Sequence, residues 1–96
     1  MVSVDVYYAQ VCGLCTKALE FFRERGVTFR ALAVEWDEAN QEFTDSDNVR
    51  DMYRRCGEKT DFVPQIFIGE RHIKGWKSLE PMIESGEIDE IIPKPD

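Results

Sequence analysis

Hydrophobic and polar residues alternate at the start of the chain: Val2, Val4 and Val6 fall on one side, Ser3 and Asp5 on the other, and Tyr7-Tyr8 follow. A period of two predicts a half-buried strand. After Cys12 the period lengthens. Cys15, Leu19 and Phe22 recur at helical spacing with Leu14, Ala18 and Phe21 beside them, while Lys17, Glu20, Arg23 and Glu24 take the opposite side. That pattern predicts an amphipathic helix, with Gly26 just past its end as the residue that turns the chain out. A second strand is read over 27–34. Two strands joined by a helix through short links favour a parallel pair with a right-handed crossover.

The stretch 36–43 has no regular period and is read as irregular. Thr44, Asp45, Ser46 and Asp47 are all competent N-caps for a helix running to about Cys56 and stopping at Gly57. Residues 58–63 read as a loop. Gln65-Ile66-Phe67-Ile68 and Arg71-His72-Ile73, separated by Gly69-Glu70, predict an antiparallel hairpin. From Ser78 a last helix places Leu79, Met82 and Ile83 on one face, with Pro81 in its first turn, and ends near Ser85-Gly86. Ile88, Ile91 and Ile92 add a final turn before the tail Pro93-Lys94-Pro95-Asp96. The order βαβ-α-ββ-α implies an α/β, thioredoxin-like fold: a four-stranded mixed sheet flanked by about three helices, one domain over residues 1–96.

Composition narrows the class. At 96 residues and 43% hydrophobic content the chain buries a core without metal or disulfide staples. It has no apolar run long enough to cross a membrane, and its start lacks the basic segment, apolar stretch and cleavage site of a signal peptide, so a reducing cytoplasm is expected. Three cysteines, two of them in a C-x-x-C pair, do not form a secreted disulfide framework. A net charge of −7 argues against nucleic acid as a partner. Glu35, Asp37, Glu38, Glu42, Asp45, Asp47 and Asp51 concentrate that charge; the plain reading is a solvated loop and helix start, the alternative a docking face for a basic protein.

Cys12 and Cys15 stand where a strand enters a helix. The first falls at the helix N-terminus, where unpaired N–H groups and the positive dipole end favour a thiolate. The second lies one turn on, near enough to close a disulfide after the first has been attacked, so Cys12 is assigned as nucleophile and Cys15 as resolving thiol. Zinc needs about four ligands, and only Cys56 and His72 remain, at no recognisable metal-binding spacing; no metal site is expected. Cys56, alone at a helix end, reads as packing or as a further thiol open to glutathionylation.

Two further segments carry chemistry. Val63-Pro64 opens a strand, where proline belongs because it cannot donate to a ladder. A cis bond there turns the Val63 backbone outward as a ladder partner for an extended peptide, whereas a trans bond is an ordinary loop end. In Ile73-Lys74-Gly75-Trp76-Lys77-Ser78-Leu79, Gly75 permits close backbone approach by a ligand, and the following helix start can hold a carboxylate. The alternative is a plain strand-to-helix turn with Trp76 as partial core.

Val6-Tyr7-Tyr8 before Cys12-Gly13-Leu14-Cys15, then Val63-Pro64-Gln65-Ile66-Phe67-Ile68, then His72-Ile73-Lys74-Gly75, resembles the dithiol glutaredoxins over nearly the whole chain. The resemblance implies a monomeric thioredoxin-fold enzyme that uses glutathione as co-substrate to reduce protein disulfides and glutathione mixed disulfides. It makes Cys12 the nucleophile, Cys15 the resolving cysteine, Val63 the backbone partner of the glutathione cysteinyl unit and Pro64 the cis-proline. It places Gly75, Trp76 and Lys77 at the γ-glutamyl end, Arg50 by the glycyl carboxylate, and Leu14 among the glutathione-contacting residues.

The chain departs from that pattern at several positions. Gly13-Leu14 replaces the usual Pro-Tyr, Ala9 the lysine three residues before the nucleophile, Phe62 the threonine before Val63, and Lys74 one of two glycines; Lys77 stands for an aspartate. Two other readings follow. Lys74-Gly75-Trp76-Lys77-Ser78-Leu79 is similar to the matching stretch of NrdH-type redoxins, which take electrons from thioredoxin reductase and supply ribonucleotide reductase. Glycine after the nucleophile also occurs in glutaredoxins that hold a [2Fe–2S] cluster between two protomers through the first cysteine and glutathione, and thiolates are suitable ligands for it.

Overall fold

In the computed structural model, residues 3–92 are described; Val2 of the first strand and the tail 93–96 lie outside the described residues. Strand β1 (Val4–Tyr8) runs down the middle of a sheet ordered β2-β1-β5-β6, parallel to β2 (Arg30–Ala33) and antiparallel to β5 (Gln65–Ile68). Strand β6 (Arg71–Lys74) returns antiparallel to β5 across the Gly69-Glu70 turn. This is the four-stranded mixed sheet of a thioredoxin-like fold.

The alternation in β1 sorts its side chains between two cores. Val4 and Val6 join Ala18 and Phe22 of α1 (Gly13–Glu24), Ile66, Ile68 and Ile73 of the hairpin, Leu79 of α3 (Trp76–Ser85) and Ile88 of α4 (Glu87–Ile91). Tyr7 and Phe67 face the other way, against Val49 and Met52 of α2 (Asp47–Cys56), Val34 and Phe43. A fully buried side chain such as Phe22 contributes about 1.5–3 kcal/mol by leaving water.

Strand β1 is buried on both faces rather than one. Asp5 is only 5% exposed, because Arg30 grips both its oxygens at 2.7 and 2.8 Å and Arg55 adds a contact at 2.8 Å. Opposite charge supplies what water would otherwise have given the carboxylate.

Four differences from the sequence reading have local causes. The second strand begins at Arg30 instead of Val27, since the Val27 N–H bonds the Phe22 carbonyl and the Gly26 N–H that of Arg23, closing the helix in a Schellman motif. The stretch read as irregular holds a hairpin of its own, β3 (Trp36–Asp37) and β4 (Glu42–Phe43). Trp36 opposes Phe43, with rings edge to face at 4.9 Å, and the Asp37 carboxylate holds the turn by accepting from the Ala39 and Asn40 N–H groups. The third helix starts at Trp76, not Ser78, because the Gly75 carbonyl already takes the Ser78 and Leu79 N–H groups. Pro81 therefore lies inside that helix, past its first turn, and removes one helical hydrogen bond. The final turn is a separate helix, α4, so the described residues carry four helices rather than about three.

Candidate active site

Cys12 is the N-cap of α1. Its backbone is extended (φ −115°, ψ 110°), and its Sγ accepts the Cys15 N–H at 3.2 Å, doing with sulfur what a serine or aspartate oxygen does at other helix starts. Its carbonyl accepts the Thr16 N–H at 3.1 Å, the first hydrogen bond of the helix. Because β1 ends at Tyr8 and α1 starts at Gly13, the four-residue link delivers this sulfur to the end of the central strands where β5 begins. There the Cys12 thiol faces the Val63 carbonyl at 3.7 Å. The Val63–Pro64 peptide is cis and Pro64 is buried.

Cys15 lies beneath, 1% exposed. Burial, reinforced by its contact with Cys12, pushes its thiol up to about 12, against a backbone hydrogen bond with Ala9 that pulls the other way. Both thiols are free. The arrangement pairs an accessible sulfur carrying a peptide N–H with a covered one a helical turn away, beside an outward-turned carbonyl: the parts needed for thiol–disulfide exchange with an extended substrate.

Gly75 closes this site from below. It is buried at φ +82°, ψ 172°, and a Cβ there would stand 3.4 Å from the Phe62 ring and 3.9 Å from the Pro64 carbonyl oxygen. Of the residues expected at the site, the fold brings Cys12, Cys15, Val63, Pro64 and Gly75 together. Leu14 joins them at the rim, 38% exposed on the first turn of α1. Lys77 is exposed on the first turn of α3, while Trp76 packs partly against the first core and lines the groove between α1 and α3. Arg50 is held at the start of α2 by Asp45, at 2.7 Å, and by Asp47.

Two residues at the site were given no role from sequence. Phe62 is a large apolar ring 45% exposed beside Val63. Gln65 is buried at 1%; its Nε2 donates to the Phe62 carbonyl at 3.0 Å and the Thr60 hydroxyl at 3.2 Å. Both amide hydrogens are thereby used, so Gln65 Oε1 accepts from His72 Nε2 at 2.7 Å, which puts the imidazole proton on Nε2. Cys56 Sγ lies 3.7 Å from the same nitrogen, half-buried, its thiol raised by burial. A polar residue on the inward face of a predicted strand was the available signal for Gln65. Among the described residues no group of three or more His, Cys, Asp or Glu is placed to hold a metal ion.

Comparison with known proteins agrees with this geometry. The family model described as Glutaredoxin matches residues 4–73. Glutaredoxin 3 of Escherichia coli K12 is 30% identical over 92 residues, covering 96% of this chain and 99% of its own. The solution structure of the Brucella melitensis glutaredoxin superposes with a TM-score of 0.68 at 26% identity, over 98% of this chain and 91% of that one. The buckwheat glutaredoxin–glutathione complex matches the fold with a TM-score of 0.66 at 23% identity, over 93% and 74% of the two chains.

Proposed function

This chain belongs to the glutaredoxin family and performs thiol–disulfide redox chemistry, and from that premise we propose that it is a glutathione-dependent dithiol reductase of protein disulfides and glutathione mixed disulfides. The observation that carries the reading is the Cys12 sulfur, capped by the Cys15 N–H and facing the Val63 carbonyl beside a cis-proline. The Cys12 thiolate attacks one substrate sulfur, the substrate S–S bond breaks, and its other sulfur leaves as a thiolate. Cys15 then loses its proton and attacks the Cys12 sulfur. The second substrate thiol departs and the protein holds the Cys12–Cys15 disulfide, two electrons poorer. Two glutathione molecules return those electrons and leave as glutathione disulfide.

Burial keeps Cys15 a thiol while Cys12 is free, and the contact with Cys12 adds to that effect. Once Cys12 is tied into a mixed disulfide it carries no charge, so that part of the hindrance disappears as the resolving step falls due. Val63, through its backbone, and Pro64, Gly75 and Leu14 around it, are proposed to hold the cysteinyl and γ-glutamyl units of glutathione, with Trp76 and Lys77 beyond. That glutathione is bound by the buckwheat relative supports the substrate class. The place of action is proposed to be a reducing cytoplasm.

Arg50 favours a second reading for the source of electrons. Its guanidinium is paired with Asp45 and Asp47, which compete with a glycyl carboxylate for the same cation. The oxidised protein is therefore supplied with NADPH and either glutathione plus its reductase or thioredoxin reductase. Rapid reduction by the first system is expected. Reduction by the second alone refutes the glutathione reading and favours an NrdH-type donor, whose ribonucleotide reductase partner is then the substrate to assay. Visible absorbance of an anaerobically purified dimer argues instead for a [2Fe–2S] carrier.

A further inference from the structure

Beside the Cys12 loop the molecule has a cavity of about 440 Å³ whose lining includes Ala9, Val11, Glu35, Trp36 and Glu38. It opens at the carboxyl ends of the parallel strands β1 and β2, where α/β sheets bind ligands. Val11, its outer wall, is 97% exposed and immediately precedes Cys12. Trp36 and Val63, whose carbonyl faces the Cys12 thiol, pack against the same core cluster. The cavity is thus walled on one side by the loop that carries the reacting sulfur.

Its walls are acidic and aromatic. Glu35 and Glu38 are exposed carboxylates, Trp36 contributes an aromatic surface, and the lining has no lysine or arginine. Ala9, 9% exposed, leaves the floor apolar. Glu38 is held in place by the Trp36 indole N–H at 2.7 Å, which fixes one carboxylate against the ring, while the β3–β4 turn fixes the ring itself. An aromatic face flanked by carboxylates suits a guanidinium or ammonium, and the volume is in the range that accepts a whole side chain.

We propose that this cavity is a specificity subsite for a lysine or arginine side chain adjoining the disulfide cysteine of a protein substrate. The inference rests on the reading of Cys12 as the attacking thiol and names the substrate class for it. It also assigns a use to the acidic β3–β4 hairpin, which the dithiol chemistry itself does not need.

The test uses pre-reduced full-length protein in single turnover, so the source of electrons does not enter. Three glutathionylated peptides differ only in an arginine, serine or glutamate beside the modified cysteine, and hydroxyethyl disulfide serves as an uncharged control. At low salt the arginine peptide is expected to react about fivefold to tenfold faster than the glutamate peptide, a gap of the size that surface ion pairs and cation–π contacts supply. The gap should shrink in high salt and in the Glu35→Gln/Glu38→Gln variant, with the rate on hydroxyethyl disulfide unchanged. Trp36→Leu, which keeps apolar bulk against Phe43, should lower the arginine rate selectively. Equal rates on all three peptides overturn the subsite, as does an arginine preference that survives the double variant, since it then comes from the net charge. Failure of the wild-type protein on every substrate, hydroxyethyl disulfide included, overturns the reading of Cys12 and the subsite with it.

Discussion

Gly75→Ala tests whether the turn that closes the active site depends on glycine. At φ +82° and ψ 172° the backbone lies where an L side chain pays about 1–3 kcal/mol of strain. Packing adds little, because the new Cβ meets the Phe62 ring at 3.4 Å, an ordinary contact, and the Pro64 carbonyl only at 3.9 Å. The whole cost is therefore conformational. For a domain of this size 1 kcal/mol moves the melting temperature by about 4–8 °C, so a fall of roughly 5–20 °C is expected by circular dichroism. If the turn relaxes toward negative φ instead, the carbonyl that accepts from Ser78 and Leu79 moves with it, and α3 loses its first hydrogen bonds. The KM for a glutathionylated peptide should then rise, since the shift displaces Phe62 and Pro64. An alanine variant that melts within about 1 °C of the parent and keeps its KM refutes the reasoning, because a strain of about 1 kcal/mol cannot hide in so small a shift.

Cys15→Ser should retain deglutathionylation, which needs only Cys12 and external glutathione, while reduction of a peptide with an internal disulfide falls to background; equal loss of both would show that Cys15 is not merely the resolving thiol. The Asp5 carboxyl is held below the usual range mainly by its hydrogen bond from Arg30, with Arg55 adding to it and burial opposing. A depressed carboxyl stabilises the fold above its unfolded pKa of about 3.9 and loses that contribution as pH falls through the lower folded value. Asp5→Asn should therefore cost about 1.5–3 kcal/mol at neutral pH in urea unfolding, most of it from the partly buried Arg55 contact, and flatten the loss of stability in acid. Gln65→Leu takes the amide donor from the Phe62 carbonyl and leaves the His72 N–H only the weakly accepting Cys56 sulfur, which should cost about 1–3 kcal/mol and raise the KM for peptide substrates more than it lowers kcat; a stability loss with unchanged KM would make Gln65 structural only.

The elements that period and punctuation define were legible. Cys15 and Phe22 of the predicted stripe are buried in α1 with Ala18, Leu19 is half-buried beside them, and Gly26 and Gly57 end their helices with positive φ as the C-cap rule requires. Errors arose where a local feature was overridden by contacts distant in sequence. Asp5 looked like an outward position of a half-buried strand and is instead buried, because Arg30 and Arg55 arrive from β2 and α2 to neutralise it. Helix α3 starts two residues early because a backbone carbonyl, that of Gly75, acts as its cap; no side-chain signal marks such a start.

The acidic stretch is the more instructive case, since composition described it correctly and still hid its structure. Seven carboxylates read as solvated, and most of them are; what orders the segment is one aromatic pair, Trp36 against Phe43, and one Asx turn at Asp37. Neither has a period, so neither registers in a pattern of hydrophobic and polar positions. The cysteine pair was legible for the opposite reason: its chemistry is local, with both sulfurs on one helical turn and the cap formed within four residues. Its substrate side is not local. The Val63 carbonyl reaches Cys12 from 51 positions away, and the cavity at the Cys12 loop is built from two separate segments. A sequence can therefore announce the reaction of such a site well before it reveals the site's selectivity, because the bond that reacts depends on neighbours along the chain and the choice of substrate depends on neighbours in space.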